Sequence, residues 1–485
     1  MSDGAIGPWP QVPQVHGFDD ELARLDAVAT AAALDARELS EREVLGAAVR
    51  RSRALEPKLH AIAAERFGAA LAAAPAPRAR RGSLAGVPTF IKDMVAVAGL
   101  PLTWGSRALA GGPPAKRSRG VAADIERAGL AVLGVSAVPE FGFIPSTEFP
   151  GGGATTNPWN PQRTIGGSSG GSAALVAAGV VPIAHAIDGG GSTRIPAACA
   201  GLVGHKPTRG RLRPHLDEER LPVAVSTDGV LTRSVRDTAR FYAELERVYR
   251  SRSLPPVGEV TGPPSRRLRI GFFDEPPFPA AVDAPSRATV AATAELLAGL
   301  GHHVEPIVAP YSEQDRDDFI IYFQFLAYLV TRTARLTHGS HVSSEDFTAH
   351  TSAMAAQFRA QPARIAGASR RLRRAGPRLH ALFAGHDLLL TPTTATVAPP
   401  LGYLSPDVEP GELLDRIADW MIFTPVANVT GHPSISLPLG YDPVASVPVG
   451  AMFTADHGED ALLLALALEL ETAQPWPGAV PVLGR

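Results

Sequence analysis

Apolar positions along this chain follow two rhythms. From Asp19 to Ala74 they recur at helical spacing, clearest in LSEREVLGAAVRRSRAL, where Leu45, Ala48, Val49 and Ser52 share one face. Ser40, with Glu43 three residues later, makes a capping box that starts this helix. The first 17 residues break any such pattern with Pro8, Pro10 and Pro13 and are expected to form a loose arm. PAPRARRGS, over 75–83, is expected to be a solvated basic connector. Beyond it, short apolar runs alternate with helical stretches and glycine turns. AGVPTFIKD predicts a strand with a polar end. AADIERAGLAVLGV predicts helix, turn and strand, and SAALVAAGVVPIAHA predicts a helix that Gly179 ends before another strand. The rhythm returns in RRLRIGFFD, in SRATVAATAELLAGLGHHVEPI and in HDLLLTPTTATVAPP.

Residues 310–380 are predicted mostly helical and more charged, with the arginines of 364–378 on an exposed face. The chain closes with two strands and a helix, GHPSISLPLG, VPVGAMFTA and ALLLALALELE. No internal repeat is visible. The alternation implies an α/β fold, a sheet covered by helices. Because strands before and after 310–380 share one style, residues 18–480 are expected to form a single domain with insertions, the helical one at about 310–380.

Composition narrows the function classes. The 485 residues are 45% hydrophobic and 19% charged, with a net charge of −2 and a pI near 6.7. That balance offers no electrostatic basis for binding nucleic acid or an anionic membrane. The single cysteine, Cys199, excludes an internal disulfide framework and a cysteine-rich zinc site, and it is expected to be a buried packing residue. No apolar window is long enough for a membrane helix, and the N-terminus lacks the pattern of a signal peptide. A cytoplasmic location is expected.

The candidate chemistry begins at Ile165–Ser172, IGGSSGGS, with four glycines and three serines in eight residues. A flexible spacer is the commonest meaning of such a run, but the apolar stretch that follows it reads as core. A phosphate-binding loop needs Lys and then Ser or Thr after its second glycine, whereas Gly171 is followed by Ser172 and Ala173. A nucleophile elbow is formally present around Ser168 and around Ser169, with Asp387, His432 and His457 among downstream partners. An elbow follows a buried strand, however, and NPWNPQRTI is a proline-interrupted loop. A third meaning joins this run to DGGGSTRIP at Asp188–Pro196. Three consecutive glycines let the backbone approach a ligand and aim successive N–H groups at a developing oxyanion. Ser192 then stands where it can attack the carbonyl, given a base to take its proton. Lys92 of GVPTFIKD is such a base if burial keeps it neutral.

Together these segments resemble the amidase signature family of Ser-cisSer-Lys hydrolases. The resemblance is carried by GVPTFIKD, TTNPWNPQRTIGGSSGGSAALVAAGVVPIA, DGGGSTRIPAA, GLVGHKPTRGR and DGVLTRSVRDTA in family order, and by FTPVANVTGHPSISLPLG near the C-terminus. It implies the α/β amidase signature fold, a large mixed twisted β-sheet with helices on both faces, and a signature core at about 84–240. It also implies roles. Lys92 is the base, Ser168 the bridging serine after a cis bond from Gly167, and Ser192 the nucleophile. Gly189, Gly190, Gly191 and Ser192 supply oxyanion N–H groups, while Ser169, Asp188 and Arg194 support the loop. Lys206, His185, His205 and His432 are expected to be structural, the histidines as satisfied core or loop residues.

The implied activity is hydrolysis of a small linear or cyclic amide through an acyl-enzyme. Within the family, the segment around the nucleophile is most similar to the bacterial subgroup that includes 6-aminohexanoate-cyclic-dimer hydrolase. Two alternatives stand beside this. One is a glutamine amidase resembling the amidase component of glutamyl-tRNA amidotransferase, which works with partner proteins and usually carries Gln where this chain has Ile195. The other is an inactive binding protein on the same fold. The relay needs no cofactor, no metal-ligand motif is present, and a homodimer is compatible with the resemblance. Departures from the family pattern cluster at Ala137, where Asn is usual, and in PPAKRSRG, where an Asp is common. They bear on the substrate rather than on the chemistry.

Overall fold

The computed structural model describes Trp9 and residues 21–74, 82–214, 221–339 and 341–477. The expected N-terminal arm lies outside the described residues apart from Trp9, as does the basic connector apart from Gly82 and Ser83. The helix Glu41–Leu59 starts at the capping box: the Glu43 N–H donates to Ser40 Oγ at 3.2 Å and the Ser40 N–H to Glu43 Oε2 at 2.8 Å. Its inward face carries Leu45, Ala48, Val49 and Ser52, all buried.

Among the described residues, thirteen strands follow in chain order: β1 (Ile62–Glu65), β2 (Pro88–Lys92), β3 (Ala131–Ser136), β4 (Glu148–Phe149), β5 (Gly153–Ala154), β6 (Ile183–Asp188), β7 (Val203–Lys206), β8 (Thr227–Thr232), β9 (Arg269–Phe272), β10 (His303–Pro306), β11 (Leu388–Pro392), β12 (Ser434–Asp442) and β13 (Val447–Ala455). Eight of them form one sheet in the order β10-β9-β11-β13-β12-β7-β8-β6, parallel over β10, β9 and β11 and antiparallel elsewhere. A three-stranded sheet, β1-β3-β2, packs β2 against β6, where Thr89 Oγ1 donates to the Ile183 carbonyl at 3.0 Å. The pair β4 and β5 forms a small antiparallel ribbon.

Alternation along β13 shows that helices cover both faces of the large sheet. Ala451, Phe453 and Ala455 join the apolar core that includes Val290 and Leu297 of the helix Ala284–Gly299 and Leu463 of the helix Asp460–Ala473. Gly450, one residue out of phase, faces the helix Arg194–Ala200 so closely that a Cβ there would lie 2.6 Å from Ala198 Cβ. Strands covered on both faces are buried at every position, as β6 and β11 are, including the polar His185 and Asp188 of β6.

The helices expected over 310–380 are present as Glu313–His338, Ala349–Ala360 and Arg364–Leu382. The arginine face is not simply solvated. Arg371 makes a bidentate pair, both contacts at 2.7 Å, with the fully buried Asp318, and Arg378 pairs with Asp315. A half-exposed cation is drawn in because a buried carboxylate needs a partner. Among the described residues, no helix is long and apolar enough to cross a membrane.

Candidate active site

Lys92 ends β2 and is fully buried, its Nζ 2.7 Å from Ser168 Oγ and donating to the Ile187 carbonyl at 3.2 Å. Burial lowers its pKa to about 7, against partial opposition from the carboxylates of Asp188 and Asp228. The backbone N–H of Lys92 donates to His185 Nδ1 at 3.3 Å, so the proton of this imidazole sits on Nε2 and donates to Asp228 Oδ1 at 2.9 Å. His185 is thus a satisfied core histidine that fixes the backbone carrying the lysine.

The glycine-serine run approaches its neighbours too closely for side chains. A Cβ on Gly167 would lie 2.7 Å from the Ser146 carbonyl, and one on Gly170 would lie 2.1 Å from Thr147 Oγ1. The Gly167–Ser168 peptide bond is cis. Neither Ser168 nor Ser169 follows a strand, and the helix Gly170–Ala177 starts directly after them. Ser169 binds sideways: its N–H donates to the Ser192 carbonyl at 3.2 Å, and its Oγ contacts both the N–H and the carbonyl of Ile187 at 3.3 Å.

Asp188, the last residue of β6, organises the turn that carries Ser192. Its carboxylate meets Arg194 in a fork, Nε and Nη2 both at 2.9 Å, and accepts N–H groups from Gly191 at 2.7 Å and Thr193 at 3.1 Å. Burial pushes the Asp188 pKa up, but Arg194 and Asn428 outweigh it and hold the carboxyl well below the usual range. The Gly191 N–H is therefore taken by Asp188, which corrects its expected place in the oxyanion set. Among the described residues, the N–H groups of Gly189, Gly190 and Ser192 meet no acceptor.

Lys92, Ser168, Gly189, Gly190 and Ser192 open together onto a cavity of about 440 Å³. Its remaining wall is mostly apolar, from Met94, Trp104, Phe141, Phe143, Ile144 and Met421 and from a stripe of one helix, Phe323, Leu326, Val330, Thr333 and Thr337. The four- and three-residue steps of that stripe keep it on one side of the helix Glu313–His338. Tyr322 of the same helix hydrogen-bonds the Val223 carbonyl through its hydroxyl, fixing the helix over the site.

The model of the Amidase family matches residues 43–464 of the chain. The chain belongs to this family. It is an amide hydrolase, and its relatives agree. A Mycobacterium tuberculosis protein named "Putative amidase AmiC" is 45% identical over 96% of this chain and 98% of its own. The 6-aminohexanoate-cyclic-dimer hydrolase of Paenarthrobacter ureafaciens is 32% identical over 94% and 96%. A solved 6-aminohexanoate cyclic dimer hydrolase complexed with substrate superimposes with a TM-score of 0.85, at 29% identity over 95% of this chain and 99% of that one.

The amidase also contains supports that sequence reading missed. Asn428 donates to the Asp188 carbonyl at 2.7 Å and to its carboxylate at 2.9 Å, and its own Oδ1 accepts from Arg194 at 2.7 Å. Thr424 Oγ1 donates to the Gly190 carbonyl at 2.6 Å. Both stand in FTPVANVTGHPSISLPLG, so the segment was visible but not the jobs of its polar residues. Cys199 is buried, which pushes its thiol pKa far up, and it packs with Ile195 and Trp420. Lys206 is buried and donates to the Pro207 carbonyl at 3.0 Å.

His205 corrects an expectation: it is buried, yet neither ring nitrogen makes a hydrogen bond of normal geometry, whereas His432 Nε2 lies 3.2 Å from Asp456 Oδ1. The structure also gathers His380, His432 and Asp456, with ligand atoms within 4.8 Å of one another, a grouping no sequence motif announced. None of the three lines the catalytic cavity.

Proposed function

We propose that this amidase works through Lys92, Ser168 and Ser192 on amides whose groups flanking the scissile bond are apolar. The contact that carries the proposal is the 2.7 Å approach of the buried Lys92 amine to Ser168 Oγ, beside the cavity that also receives Ser192. Uncharged Lys92 takes the proton of Ser168 as Ser168 takes that of Ser192, and Ser192 Oγ bonds to the amide carbon. The oxyanion forms against the N–H groups of Gly189, Gly190 and Ser192, each donor worth about 3–4 kcal/mol of barrier. Collapse breaks the C–N bond, and the proton returns along the same path to the leaving amine. Water then gives a proton to the relay and attacks the acyl ester, freeing the acid and restoring Ser192. Asp188, Arg194, Asn428 and Ser169 hold the turn and do not touch the reacting atoms.

The apolar wall separates this proposal from the glutamine amidase alternative. Glutamine would bring a carboxylate and an ammonium close to the scissile bond, among Phe143, Ile144, Ile195 and Met421, where burial of a charge is costly. A panel of apolar p-nitroanilides, short aminohexanoate oligomers, their cyclic dimer and glutamine should show kcat/KM for the best apolar amide at least about 100-fold above that for glutamine. Glutamine as the best substrate would overturn the assignment.

The pH dependence follows from the lysine. With a pKa of about 7, Lys92 is about half neutral at pH 7 and about one-tenth neutral at pH 6, so kcat/KM should fall about tenfold per unit below its limb. The unfolded chain keeps this lysine protonated up to about 10.5. Between about 7 and 10.5 the native state therefore binds fewer protons, and the contribution of Lys92 to stability rises with pH. A flat rate profile between pH 5.5 and 8, measured where the fold is intact by circular dichroism, would exclude the lysine as base.

A further inference from the structure

Beside the catalytic cavity lies a second one, of about 750 Å³, that shares Met94, Trp104 and Thr337 with it. These three residues border both spaces and are the neck that a ligand occupying both would have to pass. The second cavity has a different character. Lys116, Arg117 and Arg119 line it together with His338 and His341, and no acidic side chain does. Among the described residues, none of the three strong cations makes an ion pair.

Two further observations make this more than a patch of surface lysines and arginines. The indole Nε1 of Trp104, at the neck, is buried and has no hydrogen-bond partner. Trp104 also holds φ at +51°, a conformation unfavourable for a bulky residue, and its carbonyl accepts the Phe141 N–H at 2.8 Å. An unsatisfied donor on a strained residue at the mouth of a binding cavity points to an acceptor group that arrives with a ligand. In addition, the cations crowd the start of the helix Gly120–Arg127, where the partial positive charge of the helix end repels them and where Arg119 caps nothing. A local rule broken without local compensation marks a functional surface.

We propose that this second cavity is an anion-binding vestibule for the carboxylate of the substrate. The scissile amide lies at Ser192, an apolar linker passes between the two cavities beside Met94 and Thr337, and the carboxylate sits among Lys116, Arg117 and Arg119 with one oxygen facing the Trp104 Nε1 donor. The substrate class is an amide with apolar flanks and a distal carboxylate. This extends the amidase mechanism proposed above and depends on it.

The test uses p-nitroanilides of dicarboxylic acids with increasing numbers of methylenes, each compared with its methyl ester and with the ω-amino acyl analogue of equal length. At one chain length the carboxylate should have a KM about tenfold below that of its ester, with the ammonium analogue worse than both. The preference should shrink in about 0.5 M salt, because exposed cations are screened. In the triple variant K116A/R117A/R119A the ratio of ester KM to carboxylate KM should fall to about one. The salt series on the natural chain decides the matter even if that variant does not fold. Equal KM for carboxylate and ester at every length in low salt, or an unchanged ratio in the folded variant, would overturn the vestibule while leaving the amidase mechanism standing. Failure of all the anilides together with a Ser192 that a fluorophosphonate reagent does not label would instead overturn the mechanism.

Discussion

Ser192→Ala is expected to lower amide turnover by about 10⁴-fold or more, with the melting temperature within a few degrees of the natural chain. The substitution removes only the hydroxyl. The Ser192 N–H remains for the oxyanion, and the Ser192 carbonyl still accepts the Ser169 N–H, because that contact is made by backbone. The turn keeps its shape through Asp188, which binds Gly191 and Thr193 by their N–H groups and Arg194 by its guanidinium. A fluorophosphonate reagent should label the natural chain at Ser192 and leave the variant unlabelled. Residual turnover above about one per cent would assign the nucleophile elsewhere. Labelling of the natural chain also separates an active enzyme from an inactive binding protein on the same fold.

Lys92→Met should cost about 10³-fold or more in kcat, with a smaller change in KM, because the lysine acts in the transition state and binds substrate little. Methionine fills much of the same volume and removes an amine that burial already keeps near neutrality. The variant should therefore be more stable than the natural chain at pH 7 and below, by an amount that shrinks as pH rises from about 7 toward 10.5, because only across that window does the unfolded chain hold a proton that the buried native amine has given up. Loss of activity together with a stability gain that fades between about pH 7 and 10.5 distinguishes a buried base from a packing residue. A variant that retains most of its turnover would remove the proton relay.

Much of the site was legible because its chemistry is local. Gly167 and Gly170 are glycines because Ser146 and Thr147 leave no room for a Cβ, and that constraint is written where it acts. Lys92 was legible as a polar end to an apolar strand. The oxyanion set was partly misread because a run of glycines states which N–H groups are available but not which are already taken. Asp188 captures the Gly191 N–H, and that depends on turn geometry. Asn428 and Thr424 lie more than 200 positions from the loop they brace, and nothing in their spacing reports the pairing. The same holds for the large sheet. Its strands were visible one by one, but β13, which forms a hairpin with β12, also pairs with β11 more than 50 positions earlier, and nothing local in the sequence reports that second pairing.

The helix Glu313–His338 has a consequence for how such an enzyme diversifies. Everything assigned to bond breaking stands on strand ends and loops between Lys92 and Arg194, whereas one stretch of 26 residues roofs the chamber above it. Reagent and roof are thus encoded in separate parts of the gene. Drift or recombination confined to the roof can redraw which molecules fit without disturbing the machinery beneath, and a library restricted to its inward stripe is the economical way to retarget the catalyst.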